Sequence, residues 1–485
     1  MEIVFVASEM APFAKTGGLA DVIGSLPREL VKRGHRVSVF LPKYKNITRK
    51  GFPLKQAVKA IEIPVGFETE AGSVWTCPFN GVTVYFVDRA DYFDRDELYG
   101  TPAGDYPDND RRFTFFQRLV LEALKRLNLK PDVIHCHDWQ TGLIPAYLKT
   151  LYRSDSFFKK TKTIFTVHNL SYQGNFPPDS MSLTGLSFDE FRYERLEFYG
   201  KVSFIKGGLI YSDLVTTVSE RYAKEIQTQE MGCGLEGTLA TRKDDLFGVV
   251  NGIHSEDWDP ARDAEVPVHF NSRDLVGKKA CKKALQQENR ISQESDRPLF
   301  AFIGRLIPQK GIDLVIQVVE DMVAQNWQLV LLGTGLEEYH KALRIFGKRH
   351  PKHIGLNITF DLKMAKHIYA GADMLLMPSH FEPCGLGQMI ALRYGTVPVV
   401  RATGGLYDTI QEFNPKSGKG NGFRFSGYSA KELFETMNQA VDVFRDARLW
   451  AKLMRNGMAC DCSWRHSAKR YEAWYERTER KPLNV

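Results

Sequence analysis

The run Val4-Phe5-Val6-Ala7-Ser8, followed after a short loop by Lys15-Thr16-Gly17-Gly18-Leu19-Ala20-Asp21-Val22, decides how this chain folds. Apolar, β-rich residues give way to a loop, and Leu19, Val22, Ile23 and Leu26 then recur at helical spacing. The same strand, loop and helix order returns in the second half. There Leu299-Phe300-Ala301-Phe302-Ile303 leads into Gly304-Arg305, Gln309-Lys310-Gly311 and then apolar Leu314, Val315, Val318 and Val319. A helix N-terminus offers unpaired backbone N–H groups and a partial positive charge. Glycines that let the backbone come close, with a basic neighbour, suit such a turn to phosphate. Neither loop is diagnostic alone, since the first lacks G-x-G-x-x-G spacing and the second lacks a P-loop's ending. Their recurrence in opposite halves points to one anionic ligand held between two domains.

Working outward, short apolar runs alternate with helical patterns from Met1 to about Asn251. The runs are Val37–Leu41, Val82–Val87, Val133–His135, Thr163–Val167, Leu214–Val218 and Gly248–Val250. This alternation predicts a mostly parallel sheet covered by helices on both faces. Residues 252 to about 297 carry Pro260, Pro267 and many charges without a strand-like run, so a linker is placed before the pattern restarts. The restart continues through Leu329–Leu332, Met374–Met377 and Val397–Val400, each followed by a loop rich in glycine or proline. The fold class expected is α/β, with two facing doubly wound, Rossmann-like domains and a ligand site at the carboxyl ends of their strands, in the cleft between them. The domains are drawn as 1–251, 252–463 and a helical tail, 464–485, for which packing back on the N-terminal domain is open.

At 485 residues the chain exceeds a single core, and 43% hydrophobic with 25% charged residues reads as globular. Subtracting 58 acidic residues from 65 lysines and arginines leaves +7, with the basic residues dispersed. That pattern suits an anionic small molecule and argues against nucleic acid, which needs a concentrated basic face. Seven scattered cysteines without a C-x-x-C pair predict neither a disulfide framework nor a zinc site, and favour a cytoplasmic setting. No signal peptide or membrane-spanning stretch is read, so no membrane partner is expected.

The most specific segment is Ser379-His380-Phe381-Glu382-Pro383-Cys384-Gly385-Leu386-Gly387-Gln388, set between the Met374 strand and a helix through Met389, Ile390 and Leu392. Glu382 is placed to accept sugar hydroxyls, with amides near Gly385 and Leu386 facing phosphate or the sugar ring. The alternative is a glutamate capping its own helix. His135-Cys136-His137-Asp138 invites a metal reading, but an extended segment puts the two histidines on one face and Cys136 on the other. Metal is therefore not expected. Cys384 lies near Glu382, yet no activating base is evident from spacing. Arg401-Ala402-Thr403-Gly404-Gly405 ends a strand and opens a helix at Leu406, a further amide cradle for phosphate.

At this point the chain resembles the bacterial glycogen synthases and plant starch synthases, retaining glucosyltransferases with two facing Rossmann-like domains. The likeness covers nearly the whole chain. It rests on Lys15–Val22, His135–Thr141, Val167-His168-Asn169-Leu170, Asn251-Gly252-Ile253, Gly304-Arg305 with Gln309-Lys310-Gly311, Phe381–Leu386 and Thr403–Leu406, in the family's order. The resemblance implies that Arg305 and Lys310 stabilise the departing diphosphate, and that Lys15, with Gly17 and Gly18, reaches the donor phosphates from the other domain. It places His168 beside the reacting sugar carbon, Asn169 and Asn251 on sugar hydroxyls, and Cys384 in the sugar pocket as a contact. Gly385, Leu386, Thr403 and Gly404 line the donor, Phe360 stacks on the base or else packs in the core, and Asp138 faces the acceptor.

The function expected from the resemblance is transfer of glucose from ADP-glucose to the non-reducing end of a 1,4-α-glucan with retention, without metal or organic cofactor. Front-side attack and a two-step route through a covalent glucosyl-enzyme both stay open. The alternative within enzymes is a related retaining glycosyltransferase using UDP-glucose or a small sugar acceptor. Outside them stands a silent glucan-binding protein, which need not keep Arg305, Lys310 and Glu382 together. Three positions depart from the family's usual pattern: His254 for aspartate, His380 for arginine and Gly387 for threonine.

Overall fold

The computed structural model describes residues 1–101 and 103–480. It divides into two compact units. The first comprises Met1–Val218, Ala223–Val249 and the tail from Trp464; the second comprises Ser219–Tyr222 and Val250–Ser463. Residues 481–485 of the tail lie outside the described residues.

The first unit is built on a nine-stranded sheet in the order Leu246–Gly248, Leu214–Thr217, Lys162–Val167, Val133–His137, Glu2–Val6, Arg36–Pro42, Val82–Asp88, Glu68–Phe79, Lys55–Val65. Seven strands run parallel, and the last two join antiparallel as a hairpin at one edge. The central strands are apolar on both faces, as a sheet covered on both sides requires; Glu2–Val6 is buried from Ile3 onward. The hairpin has no counterpart among the runs read from sequence. Lys55–Val65 alternates exposed lysine and glutamate with buried Ile61, Ile63 and Val65, an edge strand whose polar half hides its period. The run read at Gly248–Val250 pairs two residues earlier, as Leu246–Gly248.

The second unit carries a fully parallel six-stranded sheet ordered Ile354–Asn357, Gln328–Leu332, Leu299–Ile303, Met374–Met377, Val397–Arg401, Phe423–Phe425. Phe300, Trp327, Leu331, Val399 and Leu433 meet in its core. Each large apolar side chain sealed there contributes roughly 1.5–3 kcal/mol.

The segment 252–297, within which a linker was placed, is part of this unit and contains the helix Val276–Glu288. Two of the charges in this helix, Lys278 and Lys282, are buried. Lys278 Nζ donates to the carbonyls of Ala370 (3.1 Å) and Tyr394 (3.0 Å) and to Thr396 Oγ1 (2.8 Å). Lys282 Nζ meets Asp373 at 2.6 Å.

The tail helix Trp464–Arg480 completes the first unit. Its Glu472 pairs with Arg33 and with His35 (2.9 Å), Trp474 stacks on Phe247 at 4.0 Å, and Tyr475 reaches His135. No helix among the described residues is long and apolar enough to cross a membrane.

Candidate active site

In the second unit, the loops at the carboxyl ends of four neighbouring strands lock into one another. Gly311, at φ +72°, ends the turn Pro308–Lys310, and a Cβ there would lie 2.1 Å from the carbonyl oxygen of Pro378. His380 N donates to Gln309 O at 2.9 Å. These two contacts press the lysine loop onto the segment after Met374–Met377, and Lys310 Nζ thereby meets Glu382 Oε2 at 2.5 Å. Ser379 Oγ donates to the same oxygen at 3.2 Å. Glu382 is buried and does not cap the helix that follows it; its carboxylate is held by a cation and a hydroxyl instead.

The glycines after Val397–Arg401 bring the third loop against the second. A Cβ on Gly404 would sit 2.0 Å from Glu382 O, and one on Gly405 2.1 Å from Cys384 O. Gly405 N donates to Glu382 O at 3.1 Å, so this amide is spent inside the loop cluster and is not open to phosphate as the sequence reading expected. Arg401 Nη1 bonds His380 O at 2.6 Å, and Gln388 Nε2 bonds the carbonyls of Cys384 and Gly385, each at 3.0 Å. Sequence reasoning missed these two supports; Gln388 is buried and follows the glutamate by six residues on the next helix turn.

The fourth loop, which follows Gln328–Leu332, meets the lysine loop beside Arg305. Arg305 Nη2 donates to Gln309 Oε1 at 3.2 Å, and Leu306 N and O bond Thr334 O (2.9 Å) and Leu336 N (3.0 Å). The buried Asn251 carries an Oδ1 with no protein partner, an acceptor suited to a ligand hydroxyl. Burial pushes the Cys384 thiol up to about 12, which keeps it protonated and unfit as a nucleophile. Phe360 is 86% exposed on the loop after Ile354–Asn357, so it is no core residue; the next residue, Asp361, caps the helix Leu362–Gly371 through Met364 N.

In the first unit, the glycine loop is governed by a residue the sequence reading passed over. The buried Glu9 accepts from Thr16 N (2.5 Å), Thr16 Oγ1 (2.6 Å) and Gly17 N (3.2 Å), and Tyr99 OH reaches it at 2.8 Å. A carboxylate three residues past an apolar strand and just before a glycine turn is the signal that was available. Lys15 pairs with Asp21 at 2.6 Å while staying about half exposed. A Cβ on Gly17 or Gly18 meets no protein atom within 4 Å, so neither glycine is demanded by packing.

Beside that loop's sheet, His135 and His137 share one face of the strand Val133–His137, ring centroids 4.1 Å apart. Three of their four ring nitrogens bind protein groups. His135 meets Tyr475 OH (2.9 Å) and Thr166 Oγ1 (2.6 Å), and His137 Nδ1 meets His168 Nε2 at 3.0 Å. Burial drives all three histidines toward the neutral form, His168 down to about 3.

Asp138 follows at φ 57° and ψ −179°, a backbone region that is nearly glycine's alone. Its Oδ1 accepts from His168 N at 2.7 Å. Desolvation outweighs the two backbone donors of His168 and Asn169 and raises its carboxyl to about 7. Strain of this kind persists only where surrounding structure holds it, and it clusters at working sites.

Comparison with known proteins gives the family. Residues 2–241 match the starch synthase catalytic domain and residues 285–448 the glycosyl transferases group 1 domain. The chain is 47% identical over 475 residues to glycogen synthase 2 of Geobacter metallireducens, covering 98% of both. It is 46% identical over 488 residues to the glycogen synthase of Koribacter versatilis, covering 100% of both. The catalytic domain of starch synthase IV from Arabidopsis thaliana, solved bound to ADP and acarbose, superposes with a TM-score of 0.90 at 34% identity, covering 99% of each chain. A sucrose-phosphate synthase from Thermosynechococcus elongatus shares the fold at a TM-score of 0.58 and 16% identity. With two α/β units, an ion-paired Lys310–Glu382 and relatives matched end to end, the chain belongs to the glycogen synthase family of retaining glycosyltransferases.

Proposed function

We propose that the protein transfers glucose from ADP-glucose to the non-reducing end of an α-1,4-glucan, keeping the α configuration and working in the cytoplasm. The observation that carries the reading is the Lys310–Glu382 pair, 2.5 Å apart and backed by Ser379, with Arg305 on the same loop as Lys310. As the glycosidic bond breaks, negative charge grows on the nucleoside diphosphate. Lys310 and Arg305, fixed in advance, stabilise that charge without reorganising. Glu382 holds Lys310 and accepts from a sugar hydroxyl, and the orphan Asn251 Oδ1 accepts from another. Cys384, Gly385, Leu386, Thr403 and Gly404 line the sugar and phosphates, and the exposed Phe360 ring offers its face to the base.

From the first unit, Lys15 contributes a further cation to the phosphates, and the open positions at Gly17 and Gly18 let the backbone approach the donor. His168 and Asn169 contact the transferred glucose. Asp138 addresses the acceptor glucan. The ADP and acarbose bound to the Arabidopsis starch synthase IV domain support a nucleotide donor and a glucan-like acceptor.

The test is incubation with glycogen and either ADP-glucose or UDP-glucose, reading polymer-bound glucose and released nucleotide. Incorporation from ADP-glucose is expected to exceed that from UDP-glucose, and inertness with both donors defeats the reading. Asp138→Ala is expected to leave ADP binding intact while weakening use of the acceptor.

A further inference from the structure

We propose that His137 is a positioning residue that fixes the tautomer of His168, so that His168 presents an Nδ1–H donor to an oxygen of the transferred sugar. The inference rests on the assignment of His168 to the glucose site made above.

Proton bookkeeping carries the argument. A neutral imidazole holds one proton on two nitrogens. His137 Nδ1 and His168 Nε2 lie 3.0 Å apart, so one of them donates to the other. His137 Nε2 is buried with no partner, on a ring that stacks on Phe5 and tilts against His135.

If His168 Nε2 supplied the shared proton, His137 would have to carry its own proton on Nε2, leaving a buried N–H with nothing to accept it. If His137 Nδ1 supplies it, the orphan is only a lone pair. Buried donors without acceptors are the rarer defect, so the second arrangement is the one the fold selects. His168 must then keep its single proton on Nδ1, the nitrogen that His137 does not engage. The backbone of His168 is pinned separately, by Asp138 Oδ1 on its N–H at 2.7 Å, which fixes where the ring projects.

The consequence is a neutral donor beside the reacting sugar. A ring held this way offers a hydrogen bond to a hydroxyl or ring oxygen and has no outward lone pair with which to take a proton. His168 therefore orients glucose and does not serve as a general base.

Two-bond proton–nitrogen correlation spectra of the full chain with ¹⁵N-labelled histidine read the tautomer directly, the His168 signals being identified by their loss in His168→Gln. The expected pattern is Nδ1 protonated and Nε2 bare. A His168 protonated on Nε2 overturns the proposal. His137→Asn keeps an N–H donor near the position of Nδ1, whereas His137→Met removes it. Turnover is expected to fall by about 10²-fold in the methionine variant and to be largely restored in the asparagine variant, with KM for the donor little changed in either. Equal losses in the two variants overturn it as well. The wild-type spectrum needs no variant to fold, and it separates this proposal from the functional one. An enzyme inert toward ADP-glucose that still shows the Nδ1–H form breaks only the assignment of substrate.

Discussion

The two candidate clusters, one in each unit, treat ionisable groups in opposite ways. In the second unit, Lys310 is ion-paired with the buried carboxylate of Glu382. In the first, His135, His137, His168 and Asp138 are crowded together without a counter-charge, and desolvation moves each toward its neutral form. A site that must neutralise a leaving diphosphate needs fixed charge. A site that must orient sugar hydroxyls is better served by neutral donors and acceptors, which cost less to bury. Under the proposed roles, the two clusters differ as their burial does.

The largest effect is expected from removing the charge itself. Lys310→Ala should lower turnover by about 10²- to 10³-fold, read as glucose incorporation. It should also destabilise the second unit by on the order of 3 kcal/mol, because Glu382 is left buried without its partner. Adding Glu382→Gln to Lys310→Ala should recover much of that stability in denaturant titrations and none of the turnover. Recovery of turnover would erase the contrast between the units.

Acid should strike the first unit through its histidines. Their folded pKa values lie below the unfolded value, so the unfolded chain binds more protons as pH falls from about 6.5. The stability they contribute is present above that pH and is lost on the way down toward about 3, the value of His168. Each ring costs up to about 1.4 kcal/mol per pH unit in that window. Unfolding curves from pH 7 to 4, followed by Trp474 and Trp139 in one unit and Trp327 in the other through single-tryptophan variants, should show the first unit yielding earlier.

The glycine loops sharpen the comparison on the backbone. Gly311→Ala puts a methyl 2.1 Å from Pro378 O at φ +72°, and should lower stability by about 1–3 kcal/mol. Gly17→Ala adds its methyl to open space at φ −148° and should leave the melting temperature nearly unchanged while raising KM for the donor.

The smallest effect is at Asp138. Its folded pKa, about 7, lies above the unfolded value, so its protonated form favours the native state below about 4, and that contribution is lost as pH rises to 7. Asp138→Asn should therefore gain stability relative to wild type between pH 5 and pH 8, as thermal melts at the two values would read.

Much of this was legible in the sequence where local pattern and tertiary role agree. The strands Glu2–Val6, Leu299–Ile303 and Met374–Met377 are buried on both faces, so their apolar runs announce themselves. Lys310 and Glu382, 72 residues apart, became candidates through their motifs, and the fold joins them. What stayed hidden depends on long-range partners. Val276–Glu288 looks solvated until Lys278 and Lys282 are seen capped by distant carbonyls and Asp373. Glu9 reads as an ordinary surface acid until Thr16, Gly17 and Tyr99 close on it. The link between His137 and His168 spans 31 residues and two strands, and no spacing rule encodes it.

The tail helix sets the order in which the molecule can be finished during synthesis. Chains usually fold from their beginning as they emerge from the ribosome. Here Tyr475 bonds His135 and Trp474 covers Phe247, so the unit that is begun first waits for residues made after the whole of Val250–Ser463. The later-made unit is complete before the earlier one, and a nascent chain stalled short of Trp464 would hold a finished second unit attached to an unsealed first.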